Sequence, residues 1–237
     1  MSFEELYSRV VRVDDTGSTN ADLLADDSAP HGALLIADHQ TAGRGRLGRT
    51  WTAPAGTQLI FSTLLLVDAE DLERLGAVTL AAGLALTDVL APATLKWPND
   101  VLIDGRKLCG ILAEAAPAAG GSYRVVIGVG LNHLLAREQL PVAHATSLAL
   151  AGIDLPRAEL EGQVFTALAR RLRQWGDDDP CLMDDYRAVC SSIGQDVRLQ
   201  APTGDVLGTV DTVADDGRIL IDGTAYSAGD VTHLRLA

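Results

Sequence analysis

The chain has 237 residues, 47% hydrophobic, 22% charged and 4% aromatic, enough for one sizeable core plus a small appendage. A formal net charge of -13 and a pI near 4.6 argue against a general nucleic-acid or anionic-membrane surface. With no basic, apolar leader in its first residues and no apolar run of ~18 residues, the chain is expected to be cytoplasmic, neither secreted nor membrane-spanning. Cys109, Cys181 and Cys190 are an odd set without paired spacing, which fits reduced thiols. The histidines (His31, His39, His133, His144 and His233) show no metal-ligand spacing.

Residues 3 to 13 read as a short amphipathic lead-in ending in Val10, Val11 and Val13, and Asp14 to Asn20 as a polar turn. Ala21 to Ala25 opens a helix that Ser18, Thr19 or Asn20 can cap. The same hydroxyls and amide can bind a polar, uncharged group such as a ureido ring, and the two roles are compatible. Ala33 to Ala37 is a short apolar strand that delivers Gln40 to the next stretch.

That stretch is Gly43-Arg44-Gly45-Arg46-Leu47-Gly48-Arg49, followed by Thr50 and Trp51, and no Asp or Glu occurs between His39 and Val67. A cation cluster inside an acidic chain implies an anion smaller than a nucleic acid. Glycine lets the backbone approach a ligand closely, and arginine offers a planar fork to phosphate or carboxylate oxygens. In isolation such a loop would be a solvated basic turn, mobile when empty. Its companions further along give it a ligand.

Gln58 to Val67 is a second strand, and Leu72 to Leu90 the central core helix, with Ala81-Ala82-Gly83 allowing close packing on a sheet. In Leu95-Lys96-Trp97-Pro98-Asn99-Asp100-Val101, Pro98 stops a helix and holds Trp97 extended. Asn99 and Asp100 therefore fall at a bend between strands, where they either hold Mg²⁺ or cap the bend. Val101 to Ile103 and Arg106 to Glu114 make a hairpin around Asp104-Gly105. Lys107, inside an apolar strand, must snorkel to solvent or meet an anion, while Glu114 reads as a strand-end acid. Gly120-Gly121 turns the chain into a strand from Tyr123 to Leu131, ending at Asn132.

Short turns between consecutive strands imply an α+β fold, with a mixed or largely antiparallel sheet and packed helices. Leu155-Pro156 opens a helix through Trp175, and a second helix runs from Asp179 to Val189. From Ile193 the texture changes to short β pieces: Val197 to Gln200, Val206 to Val213, Arg218 to Ile221, Thr224 to Ser227 and Thr232 to Leu236. They make a small barrel that leans on the main body. The expected division is a catalytic domain over 1–190 and a C-terminal domain over 191–237. No Gly-x-x-x-x-Gly-Lys-Ser/Thr occurs, so a nucleotide here is not held by a standard P-loop, and no Ser or Cys has a credible base beside it.

Five stretches occur in order: Ser-Thr-Asn, Gly-Arg-Gly-Arg-x-Gly-Arg-x-Trp, Lys-Trp-Pro-Asn-Asp-Val, Gly-Arg-Lys-Leu-Cys-Gly-Ile-Leu-x-Glu and Gly-Val-Gly-Leu-Asn. Each is weak by itself, but together they are specific, and the chain from about Asp14 to Arg235 resembles the biotin–protein ligases. The resemblance implies a catalytic domain like that of class II aminoacyl-tRNA synthetases and an SH3-like domain at the C-terminus. It places Ser18, Thr19, Asn20 and Gln40 at biotin, and Arg44, Gly45 and Arg46 in a loop over biotin and the adenylate. Lys107 would reach the biotin carboxylate and the α-phosphate. Asn99, Asn132, Arg49 and Trp51 would lie on the nucleotide side, with Asp100 near phosphates and metal. Lys107, Arg46 and Asp100 are the catalytic candidates; no metal ligand and no role for Leu47 or Cys109 is assigned.

The implied chemistry is attack of the biotin carboxylate on the α-phosphorus of MgATP, giving biotinyl-5′-AMP, then transfer of biotin to a lysine. The acceptor would belong to a biotin carboxyl carrier protein or the biotin domain of an acyl-CoA carboxylase, and Asp100 could help deprotonate it. One rival is a lipoate ligase or octanoyl transferase using Cys109 through a thioester; another is a non-catalytic biotin or nucleotide sensor. Some relatives are also repressors with an N-terminal DNA-binding domain. Here the ligase pattern starts by about Asp14, so a single-function enzyme without DNA binding is expected. An operator-like duplex at low salt with ligand present should run unshifted; a specific, salt-sensitive shift would refute this.

Overall fold

Residues 2–234 are described in the computed structural model. Its frame is a seven-stranded sheet in the order β1-β2-β3-β7-β6-β5-β4. The strands are β1 (Arg9–Thr16), β2 (Ala33–Gln40), β3 (Gln58–Val67), β4 (Thr94–Lys96), β5 (Asp100–Ile103), β6 (Arg106–Pro117) and β7 (Tyr123–Asn132). All neighbours are antiparallel except β1 and β2, which run parallel. The sheet is thus mixed, as expected.

Helix α1 (Thr19–Ala25) makes the crossover that a parallel pair requires. The polar turn expected over Asp14 to Asn20 is corrected, because β1 continues to Thr16 and pairs Asp15 with His39 and Thr16 with Gln40. Acids on an edge strand point into water and leave the backbone free to pair on its other side, so polarity there does not mark a turn.

The sheet has two unlike faces. On one, Leu59, Phe61, Cys109, Ile111, Val129 and Leu131 alternate into the main core beneath α2 (Leu75–Thr87), α3 (Arg157–Gly176) and α4 (Cys181–Val189). Helix α2 is buried almost all round, from Ala77 to Leu86. It lies so close to the sheet that a Cβ on Gly83 would come within 3.0 Å of Leu95 Cδ2. The helix expected from Leu72 to Leu90 is shorter than expected: Ala69–Arg74 is a 3-10 turn and α2 ends at Thr87. Asp88 at its end is clamped by Arg170 and Arg171 of α3, and Pro92 disfavours helix at the residue before it.

The second sheet, antiparallel and five-stranded, has the order β11-β10-β9-β8-β12. It comprises β8 (Asp196–Ala201), β9 (Gly204–Val213), β10 (Ile219–Ile221), β11 (Thr224–Tyr226) and β12 (Asp230–His233). The strand expected over Thr232 to Leu236 begins earlier, at Asp230, and residues 235 and 236 lie outside the described residues. Val197, Leu199, Val210, Ile219 and Val231 join the same buried cluster as the first sheet. Trp97, only 1% exposed, donates its indole N–H to Gly217 O at 2.9 Å, and Gly217, at φ +86°, lies against the backbone of Gly76 and Ala77. The second sheet is therefore pinned to the first turn of α2 and to the Trp97-Pro98 corner. No helix among the described residues is long and apolar enough to cross a membrane.

Cys109 and Cys190 are buried and Cys181 is exposed. Burial pushes the Cys109 thiol far above its ordinary range, outweighing the opposite pull of Lys107, so its thiolate is disfavoured. That speaks against a thioester on Cys109. A thiol-exchange reagent should label Cys181 alone in the native protein, slowed by Asp179 beside it, and all three cysteines after denaturation. Fast labelling of Cys109 without unfolding would contradict this.

Candidate active site

The other face of the main sheet is nearly bare at its centre. The register sets Gln58 opposite Asn132, Ile60 opposite Gly130 and Ser62 opposite Gly128, while β6 adds Gly110 beside Gly130 and Leu112 beside Gly128. At one end α1 covers this face by packing Leu23 with Leu64 and Val126. At the glycines polar and aromatic groups come down onto the backbone. A Cβ on Gly128 would stand 2.2 Å from Asn20 Oδ1, and one on Gly130 2.3 Å from Trp51 Nε1. Glycine is required here for close approach, since its φ is ordinary.

Ser18 caps α1, accepting the Ala21 N–H at 3.5 Å. Thr19 presents its N–H and hydroxyl to Gln40 Oε1 at 2.8 and 3.0 Å, leaving the Gln40 amide nitrogen, beside Gly43, as the free donor end. The Ser62 hydroxyl stands 2.6 Å from both Thr19 Oγ1 and Asn20 Oδ1. Asn20 donates to Leu112 O and to Glu114 Oε2 at 3.2 and 2.8 Å. Capping and a row of fixed polar groups coexist in one triplet.

The Arg/Gly loop closes on itself through Gly45 N–H to Arg49 O at 2.7 Å and Trp51 N–H to Gly43 O at 2.8 Å. A Cβ on Gly43 would collide with Trp51 O at 2.2 Å, and Leu47 takes φ 55° at the exposed tip. Arg44 is largely exposed, its guanidinium 3.9 Å from Glu114. Trp51 lies over Gly110 and Gly130 and donates to Gln58 Oε1 at 3.2 Å. Gln58 in turn donates to Asn132 Oδ1 at 2.7 Å, and Asn132 to Thr146 O at 2.8 Å.

Lys107 is fixed at both backbone poles: its N–H donates to His144 O and its C=O accepts from Thr146 N–H, each at 2.8 Å. A bulge between β5 and β6 sets Leu102 against Lys107 but Val101 against Cys109, the kind of irregularity that re-aims a side chain. Of the two outcomes open to it, the Lys107 ammonium meets an anion: Asp100 Oδ1 at 2.6 Å, while Lys96 lies 3.3 Å from Oδ2. It also stands 5.5 Å from the centre of the Trp51 ring, a cation–π distance. Asn99 donates to Ile111 O at 2.9 Å. His144 is held below its ordinary pKa by burial and then by Lys96 and Lys107, which keeps the imidazole neutral.

Every residue singled out in the sequence as a site candidate lines one cavity of about 410 Å³, within the usual range for a small-molecule site. Five cations (Arg44, Arg46, Arg49, Lys96 and Lys107) line it against two carboxylates, Asp100 and Asp230, so the cavity is locally positive in a chain of net charge -13. Lys96, His144, Asp230, Gln58, Ser62 and Glu114 were not among the candidates. The even spacing of Gly128, Gly130 and Asn132 could have pointed to Gln58 and Ser62 once β3 was paired with β7. Nothing local pointed to Asp230.

Proteins similar to the chain point to one family. The family model described as Biotin/lipoate A/B protein ligase family matches residues 9–132. The biotin–[acetyl-CoA-carboxylase] ligase of Mycobacterium tuberculosis is 44% identical, over 94% of this chain and 88% of that protein. The bifunctional ligase/repressor of Bacillus subtilis is 31% identical over 84% of this chain and 64% of its own length. Among solved structures, the biotin protein ligase from Aquifex aeolicus in complex with biotin and ATP superposes with a TM-score of 0.80 at 25% identity. That match covers 97% of this chain and 100% of that one. By sequence and by fold, the chain belongs to the Biotin/lipoate A/B protein ligase family.

Proposed function

We propose that the chain is a biotin–protein ligase: it activates biotin with MgATP to biotinyl-5′-AMP and transfers biotin to a lysine of a biotin carboxyl carrier protein or domain. The observation that carries this reading is the cavity itself. Neutral polar groups (Ser18, Thr19, Asn20 and Gln40) and cations, Lys107 among them, line the same cavity. A ureido ring with a carboxylate tail, joined to a phosphate, has that polarity. A cytoplasmic location and a catalytic body over 1–190 belong to the same proposal.

The residues divide the work as follows. Thr19, Asn20 and the Gln40 amide orient the ring; Lys107, Arg44 and Arg46 stabilise charge on the carboxylate and the α-phosphoryl oxygens, by position and electrostatics. Trp51, Asn99, Asn132 and Arg49 hold the nucleotide. Closure by the Arg/Gly loop would keep water from the mixed anhydride until the lysine amine attacks and AMP leaves. Among the described residues no group of three or more His, Cys, Asp or Glu could cage a metal ion. Mg²⁺ would keep several waters and be held largely by substrate phosphates. Asp100 and Asn99 are the oxygen donors through which the chain would touch it, and bound there it would neutralise phosphate charge.

Two experiments follow. Wild type should transfer biotin from ATP and biotin to a purified biotin-carrier domain, and Lys107→Ala should lower the rate by a factor on the order of 10² to 10³. Pyrophosphate release without labelling would leave adenylation and discard the carrier; activity with lipoate or octanoyl substrates instead would move the chain to the other branch of the family. Asp100, with an ammonium on each carboxylate oxygen, fits a holder of Lys107 better than a base. Asp100→Ala should therefore slow adenylate synthesis by about tenfold or more, and a variant that slows only transfer from preformed adenylate would restore the base.

A further inference from the structure

One wall of the cavity comes from the second sheet. Asp230, the first residue of β12, has a side chain only 15% exposed and reaches across to the Arg/Gly loop. Its Oδ1 lies 3.2 Å from Arg46 Nη1 and its Oδ2 2.6 Å from Arg49 Nη2. Arg46 Nη1 also stands 3.4 Å from Asn99 Oδ1, so that nitrogen is fixed from two sides and the rest of the fork remains for an incoming anion. The backbone bonds of the loop, Gly45 to Arg49 and Trp51 to Gly43, are internal to it. Its arginines are shared out: Arg44 toward Glu114 of the main sheet, Arg46 and Arg49 toward the second sheet.

We propose that Asp230 is a positioning residue for the ligase reaction, holding Arg46 and Arg49 over the cavity so that the phosphates of ATP meet guanidinium groups already in place. The proposal rests on the function given above. One carboxylate between two guanidiniums leaves the pair net positive, so the contact arranges the cations without cancelling their pull on an anion. Arg46 is partly buried, which costs its charge hydration. Burial holds the Arg46 pKa below its ordinary value, and the attraction of Asp230 and Asp100 offsets only part of that effect. The same contact couples the loop to the second sheet.

The test uses the full chain, with Asp230→Asn and Asp230→Glu beside wild type. Pyrophosphate release is followed over a range of ATP at saturating biotin, and transfer to a carrier domain is followed from preformed biotinyl-5′-AMP. Nicking by trypsin after Arg44, Arg46 and Arg49 is timed without ligand. Asp230→Asn should raise the KM for ATP by about tenfold, leave transfer from preformed adenylate much less affected, and speed nicking in the loop without shifting the thermal midpoint. Asp230→Glu should recover most of both losses. A KM that falls would make Asp230 a competitor of phosphate, and an unchanged KM or unchanged nicking would leave the contact without a positioning role; each overturns the proposal. Should wild type release no pyrophosphate, the assigned function fails, while the nicking comparison still decides whether Asp230 holds the loop. If Asp230→Asn does not fold, Arg49→Gln cuts the same contact from its exposed side and should speed nicking after Arg46.

Discussion

Everything at the site depends on a lack of side chains at the middle of one sheet face. Gly110, Gly128 and Gly130 lie side by side on β6 and β7, and only there can Asn20 and Trp51 reach the sheet backbone. Larger residues would lift the indole, and the hydrogen bonds from Trp51 through Gln58 and Asn132 to Thr146 would lose their first member. The opposite face of the sheet carries Phe61, Ile111, Val129 and Leu131, so the floor cannot sag without disturbing the main core. A rigid back and an empty front come from the two-residue period of a strand.

On that floor the charges are arranged in pairs and triples, never singly. Asp100 takes two ammonium groups and Asp230 two guanidiniums. Each carboxylate lessens repulsion among neighbouring cations and fixes where they point, while the surplus of cations keeps the cavity attractive to phosphate. Such order before the ligand arrives is what a reaction governed by electrostatics and positioning needs.

What could be read from the sequence follows from distance along the chain. The Arg/Gly loop, the Lys-Trp-Pro-Asn-Asp corner and the Asp104-Gly105 hairpin are local, and residue types alone exposed them. The hairpin even shows the left-handed pair that Asp-Gly predicts, at φ 49° and 68°. Lys107 was legible as a problem, a charge in an apolar strand, and its partner Asp100 lies on the neighbouring strand. Glu114 read as a strand-end acid because its partner Asn20 is 94 residues away. Asp230 read as part of a small barrel because its partner Arg46 is 184 residues away. Asp14 and Asp15 misled because edge strands tolerate acids, and α2 because a helix buried on every side has no stripe to mark its ends.

Trp97 has a consequence for the chain as a folding unit. Its indole is the largest fully buried side chain of the molecule among the described residues, and it spends its N–H on the second sheet while its own backbone N–H is held by Ser192. The next residues in sequence are Pro98, Asn99 and Asp100. Without the second sheet, the apolar ring of that indole would face water, and the corner presenting Asn99 and Asp100 would lose its anchor. The two sheets share one buried core, and strands β8 to β12 therefore support the cavity as much as the strands that line it.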